Sequence, residues 1–263
     1  MPVPEVTDDD PRDRPEGLDD HQVAARLASE AGELLVELRR DLYAQGISGR
    51  ALGDEGDAAA HRFLMQRLSE LRPADAVLSE EGADDPVRLS ATRVWIVDPL
   101  DGTREFCDVP RTDWAVHVAL TTGGRPTAGA VSLPARGMTL ATEPAPVLPP
   151  RKERPPQIVA SLSRRPPQAQ WVADALGGEL VALGSAGAKA MAVVLGDVDI
   201  YLHAGGQFEW DSCAPVAVAA AAGLHVSRLD GSPLLYNRPN PYLPDLLICR
   251  PEYAAPAITA AGR

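Results

Sequence analysis

The 263-residue chain reads as a layered α/β protein on three grounds. Two long helix-period patterns open it, closely spaced β-runs with Gly/Pro turns follow, and the second half alternates strand and helix. Composition agrees, since 45% hydrophobic and 24% charged residues suffice for one large domain or two modest ones.

From Leu18 to Leu42, apolar residues recur at helical spacing through Val23, Leu27, Leu34, Leu35, Leu38 and Leu42. Asp19 or Asp20 can cap the start, and Gly46 lies past the end. ISGRALGDEG then reads as a Gly-rich loop, and a second helix is expected from near Asp57 to Leu71, closed by Pro73. AVLS (76–79), RVWIV (93–97), WAVHVAL (114–120), PTAGAVSL (126–133) and GMTLAT (137–142) read as strands in antiparallel meander pairs. The stretch from Glu143 to Gln157 holds six prolines and little to bury, so it reads as a linker with a boundary near residue 150. The expected units are an N-terminal α+β domain over 18–150, carrying most of the metal ligands, and a C-terminal α/β domain over 151–263 that completes the site. In the latter, IVAS, a helix near Trp171, ELVALG, AKAMAVVLG, DIYLHAG and DSCAPVAVAAAAG alternate. Residues 1–17 are acidic with nothing to bury and are expected to be disordered.

With 25 Lys plus Arg against 37 Asp plus Glu, the formal charge of -12 repels nucleic-acid polymers and anionic membranes. The longest apolar run, Cys213 to Leu224, is shorter than the roughly 18 residues of a membrane span. The N-terminus lacks the basic start and apolar stretch of a secretory signal, so a cytoplasmic location is expected. Cys107, Cys213 and Cys249 form no CxxC pair, which indicates free thiols rather than zinc ligands or disulfides. Asp113 stands where a cysteine phosphatase built on Cys107 would need arginine.

Four acidic stations carry the chemistry: Asp57 opening helix two, Glu80 and Glu81 after AVLS, Asp98 and Asp101 after RVWIV, and Asp211 in EWDSCAPV. Carboxylates converging from strand ends and helix starts repel one another by kilocalories unless cations lie between them. Oxygen-only donors select Mg²⁺ or Mn²⁺ over zinc. In DPLDGT, Asp98 and Asp101 can both be ligands while the Leu100 carbonyl points inward; Gly102 permits close approach of a phosphate, whose oxygens the amides of Gly102 and Thr103 could bind. Phosphate monoester hydrolysis can need about 10²¹-fold acceleration, whereas acid/base groups supply roughly 10² to 10⁴. Paired metals suit that gap.

DPLDGT after an apolar strand, SEEG upstream, and WD downstream at the start of a small-residue helix together resemble the inositol monophosphatase and bisphosphate nucleotidase superfamily, across most of residues 20–225. The resemblance implies an alternating αβαβα sandwich of the inositol monophosphatase and fructose-1,6-bisphosphatase type, and a Mg²⁺-dependent, Li⁺-sensitive phosphatase. It implies one Mg²⁺ on Glu80, Asp98 and the Leu100 carbonyl and a second on Asp98, Asp101 and Asp211, with Mn²⁺ able to substitute. Thr103 would orient the attacking water, Glu80 or Asp57 would take its proton, and Asp57 could serve a third ion.

DGTREF (101–106) resembles the DGTKEF of CysQ-type nucleotidases more than the DGTTNF of inositol phosphatases. That implies hydrolysis of adenosine 3′,5′-bisphosphate, or its sulfated form, to AMP and phosphate, a step linked to sulfate activation. Ser185 to Lys189 (SAGAK) and Ser161 with Arg164 (SLSRR) resemble nucleotide-side segments of those enzymes. Asp101, Gly102, Thr103, the Leu100 carbonyl and Asp211 would complete the contacts to a small phosphorylated substrate. Inositol 1-phosphate or fructose 1,6-bisphosphate is the alternative on the same site, and a Mg²⁺- and phosphate-binding regulatory protein without turnover is the alternative of another class. The chain departs from the family pattern at Ile47, where lysine is usual, at Asp54, where threonine is usual, and at Arg164, where the nucleotidases have histidine. Many relatives dimerise, so a homodimer is the expected assembly.

Overall fold

The computed structural model describes residues 17–161 and 166–262. Helix α1 (Asp20–Ala44) is started by a capping box: Asp19 accepts the Gln22 amide at 2.8 Å, and the Gln22 side chain accepts the Asp19 amide at 3.0 Å. Helix α2 (Arg50–Leu71) begins well before the expected start, so Asp57 lies inside it and ISGRALGDEG is mostly helical rather than a loop. Packing overrides propensity here. A Cβ on Gly53 would meet Thr103 Cγ2 at 2.7 Å, and one on Gly56 would meet Phe106 Cε1 at 2.9 Å. The two glycines share a helix face and let α2 approach the segment that follows DPLDGT.

The first sheet runs in the order β1 (Ala76–Ser79), β2 (Arg93–Asp101), β3 (Ala115–Thr122), β4 (Arg125–Leu133), β5 (Met138–Ala141), with the short helix α3 (Thr103–Cys107) after β2. Strands β2 to β5 form the expected antiparallel meander, but β1 pairs with β2 in parallel. Residues 80–92, with a 3-10 turn at Pro86–Ser90, carry the chain back to the same end, as a parallel pair requires. The second sheet has the order β7 (Glu179–Leu183), β6 (Gln157–Ser161), β8 (Ile200–Phe208), β10 (Tyr242–Cys249), β9 (His225–Ser227). Its helices are α4 (Pro167–Leu176), α5 (Ala186–Val194), α6 (Glu209–Ala221) and α7 (Ala254–Ala261).

The core defines the layers. Trp95, Val97, Val116 and Val118 on one face of the first sheet pack with Leu27, Leu35, Leu52 and Leu64 of α1 and α2. Ile96, Ala115 and Ala119 on its other face join Met191 of α5 and Val218 of α6, which also meet Tyr201 and Ile248 of the second sheet. Ile158, Leu202 and Leu247 on the far face of that sheet pack against Val172 of α4 and Ala257 of α7. The result is an αβαβα sandwich with α5 and α6 as the middle layer. No helix among the described residues is long and apolar enough to cross a membrane.

Candidate active site

Asp98 and Asp101 are three residues apart, so a regular strand would send them to opposite faces. The pairing of β2 with β3 shows why they do not: Asp98 faces His117 and Asp101 faces Ala115, three steps on one strand against two on the other. The extra residue is a β-bulge at Pro99–Leu100, where proline's missing N–H leaves no ladder bond unmade. Both carboxylates therefore point toward the α5/α6 layer. Leu100 packs instead with the α1/α2 core, and its carbonyl lies 3.3 Å from the Thr103 hydroxyl.

Asp211, in the first turn of α6, closes the group: one oxygen each of Asp98, Asp101 and Asp211 lie within 4.8 Å of one another. Asp211 also accepts the Phe208 amide at 2.6 Å. Asp101 accepts the amides of Ala186 and Gly187 at the start of α5, at 3.2 and 2.6 Å, and His117 Nε2 stands 3.2 Å from it. That imidazole contact is an ion pair off-line for a hydrogen bond, while His117 Nδ1 lies 3.0 Å from the Trp210 carbonyl. Burial drives Asp101 upward, but His117, Lys189 and the Gly187 amide outweigh it and hold the carboxyl below the usual range. Burial together with the charges of Glu80, Asp101 and Asp211 pushes Asp98 well up, and burial with the Asp101 charge pushes Asp211 up to about 6. The cluster holds more negative charge than its surroundings neutralise, and every donor in it is a hard oxygen. A divalent cation of the Mg²⁺ or Mn²⁺ kind fits both conditions.

Around this core stand the other expected residues. Asp57 in α2 is half-buried with its oxygens 3.4 and 3.5 Å from the Thr103 hydroxyl, and burial, then the charges of Glu81 and Asp54, pushes it up to about 7. Glu80 follows β1 and is exposed as a residue; desolvation of its carboxyl and the charge of Asp211 nonetheless push it up to about 7, opposed by hydrogen bonding to Asp98. Gly102 has φ 90°, and a Cβ there would meet Ser185 Cβ at 2.8 Å, so the turn after DPLD admits only glycine without strain. Ser185 caps α5 by accepting the Ala188 amide at 3.0 Å. Lys189 is 3% exposed, its ammonium donating to the Gly184 and Ser185 carbonyls beneath that cap, and desolvation lowers its pKa against the pull of Asp101. Ser161 ends β6 opposite Leu183 of β7, two residues before Ser185. Arg164 lies outside the described residues.

Two residues escaped the sequence reading. His117 sits in an otherwise apolar strand, and its role follows only from lying across from Asp98 in the sheet. Gly187 looks like one more small residue in SAGAK, yet a Cβ there would meet His117 Nε2 at 2.2 Å and Asp101 Oδ2 at 3.2 Å. A histidine on the strand after DPLDGT was the one available signal.

The profile of the Inositol monophosphatase family matches residues 19–145 and 150–261. A 3′-phosphoadenosine 5′-phosphate phosphatase of Mycobacterium leprae is 53% identical over 257 residues, covering 93% of this chain and 94% of the relative. The 3′(2′),5′-bisphosphate nucleotidase CysQ of Escherichia coli is 32% identical over 228 residues, covering 80% and 91%. Among solved structures, CysQ from Bacteroides thetaiotaomicron, described as a bacterial member of the inositol monophosphatase family, superposes with a TM-score of 0.72 at 27% identity. It covers 87% of this chain and 96% of its own.

Proposed function

The chain belongs to the inositol monophosphatase family, and we propose that it is a Mg²⁺-dependent, Li⁺-sensitive phosphatase that removes the 3′-phosphate of adenosine 3′,5′-bisphosphate. The observation that carries the proposal is the convergence of Asp98, Asp101 and Asp211 in one buried, charge-excess cluster. The printed activities of the Mycobacterium leprae and Escherichia coli relatives support the nucleotide as substrate.

Glu80, Asp98 and the Leu100 carbonyl would hold one ion, and Asp98, Asp101 and Asp211 a second. Such ions would neutralise phosphoryl oxygens, favour ionisation of the attacking water and stabilise the leaving oxygen. The chain's own residues do the rest. Thr103 Oγ1, between the Leu100 carbonyl and Asp57, orients the water. Asp57, or Glu80, takes its proton as oxygen joins phosphorus and the bond to ribose O3′ breaks. Gly102 allows the backbone close to the phosphate, with the Gly102 and Thr103 amides toward its oxygens. Lys189 lends positive potential from beneath the Ser185 cap, Ser161 and Ser185 line the nucleotide side, and the SLSRR resemblance assigns Arg164 to the same nucleotide. Ligands come from both proposed domains, 18–150 and 151–263, and with the 3′-phosphoadenosine nucleotide as substrate the reaction would recycle a by-product of sulfate activation or sulfotransfer.

The test is phosphate release from adenosine 3′,5′-bisphosphate, inositol 1-phosphate and fructose 1,6-bisphosphate, each with Mg²⁺ and with chelator. The nucleotide should win by about tenfold or more in kcat/KM, a difference of roughly 1.4 kcal/mol, and chelation should abolish turnover. Preference for a cyclitol or sugar phosphate would refute the substrate, and turnover in chelator would refute the metal.

A further inference from the structure

We infer that Phe208, backed by Trp210 and walled by Tyr242, is the platform on which the purine base of the substrate stacks. The inference rests on the nucleotide-phosphatase function proposed above and adds the part of the protein that reads the base. Phe208 ends β8, and its amide is the donor to Asp211 at 2.6 Å, so ring and candidate metal ligand share one rigid corner. Its ring lies on that of Trp210 at 4.9 Å with 8° between planes, and Tyr242 meets it edge-on at 5.9 Å and 83°. The Tyr242 hydroxyl accepts the Gly206 amide at 3.0 Å, and Tyr242 is the β10 partner of Phe208. Each of these contacts limits ring motion.

Despite that packing, Phe208 is 39% and Tyr242 43% exposed. Adjoining aromatic rings left in water are conspicuous in a chain only 5% aromatic, and such patches mark binding surfaces. Trp210 stacks on Phe208, and the part of the Phe208 ring that stays exposed is available to a ligand. Tyr242 also borders a cleft of about 510 Å³ with Arg238 and Asn240. The loop bearing Arg238 is fastened to the same corner, because the Asn237 and Arg238 amides donate to the Glu209 carboxylate at 2.6 and 2.8 Å. A flat π-face beside an open, cation-flanked cleft suits a nucleotide; a cyclitol has no such face to offer. Stacking of a base on an aromatic side chain changes affinity by about 5- to 150-fold.

The experiment uses the full chain with Mg²⁺, and the variants Phe208→Leu, which keeps bulk without a π-face, and Phe208→Tyr, which keeps the face. Both are assayed on adenosine 3′,5′-bisphosphate and on glycerol 2-phosphate, an ester with no base. Phe208→Leu should raise KM for the nucleotide about tenfold with little change in kcat, and lower the nucleotide-over-glycerol ratio of kcat/KM by a similar factor. Phe208→Tyr should hold that ratio near the parent value. An unchanged ratio in Phe208→Leu, or equal losses on both esters, would overturn the stacking while the phosphatase function stood. A parent protein that hydrolyses glycerol 2-phosphate as well as the nucleotide would overturn the function, and base recognition with it.

Discussion

Asp211→Asn should make the metal-free protein more stable while abolishing its activity. Burial and the Asp101 charge raise the Asp211 carboxyl from 3.8 to about 6. At about 1.4 kcal/mol for each tenfold change in proton affinity, holding that group ionised in the fold costs roughly 3 kcal/mol. A carboxyl whose folded pKa is raised binds more protons folded than unfolded. The Asp211 contribution to the stability of the metal-free parent therefore falls as pH rises from 3.8 to about 6 and is level above that. Asparagine keeps an acceptor for the Phe208 amide and removes the charge. The gain should be at most about 3 kcal/mol above pH 6 and roughly half of that at pH 5. At about 2–4 °C per kcal/mol, Tm in chelator should rise by up to roughly 6–12 °C at pH 8 and about half of that at pH 5. Saturating Mg²⁺ should raise the Tm of the parent more than that of the variant, which loses only the ion held by Asp98, Asp101 and Asp211. Thermal melts at both pH values, with chelator and with Mg²⁺, test the chain of reasoning. A variant that melts below the parent in chelator at pH 8, or that keeps the parent's full Mg²⁺ shift and turnover, would refute it.

Two further outcomes are expected. Thr103→Ala should lower kcat by about 10²-fold with KM little changed, because it removes an orienting hydroxyl rather than a binding contact; steady-state kinetics showing a KM effect alone would sink that role. Gly53→Ala gains about 1 kcal/mol of helix propensity but forces a methyl to within 2.7 Å of Thr103 Cγ2, an overpacking that costs about 1–3 kcal/mol. Its Tm should fall, and a rise would mean α2 has slack where it meets α3.

Helix α1 was legible because its cap and its apolar stripe are local signals. The start of α2 was not, because Gly53 and Gly56 read as breakers until the side chains of Thr103 and Phe106 are seen against them. The parallel pairing of β1 was hidden too, since the long 80–92 connection decides it rather than the strand residues. The layered fold followed from the order of elements, and the family from three short motifs. Within the site, acidic stations could be read one by one, but the bulge that turns Asp98 and Asp101 to one face could not, because period-two counting predicts the opposite. His117 and Gly187 were invisible for a related reason. Each matters only through a neighbour far away in sequence.

A strand is a binary code in which each residue's parity selects its face, and the bulge at Pro99–Leu100 flips one bit. Everything before it keeps its assignment: Trp95 and Val97 toward one pair of helices, Ile96 and Asp98 toward the other. Everything after it is inverted, so two aspartates three apart in sequence share one face, while the Leu100 side chain joins the opposite core and its carbonyl turns to Thr103. A regular strand of the same length would send the two carboxylates to opposite faces, and the site would be lost with every acidic residue still in the chain.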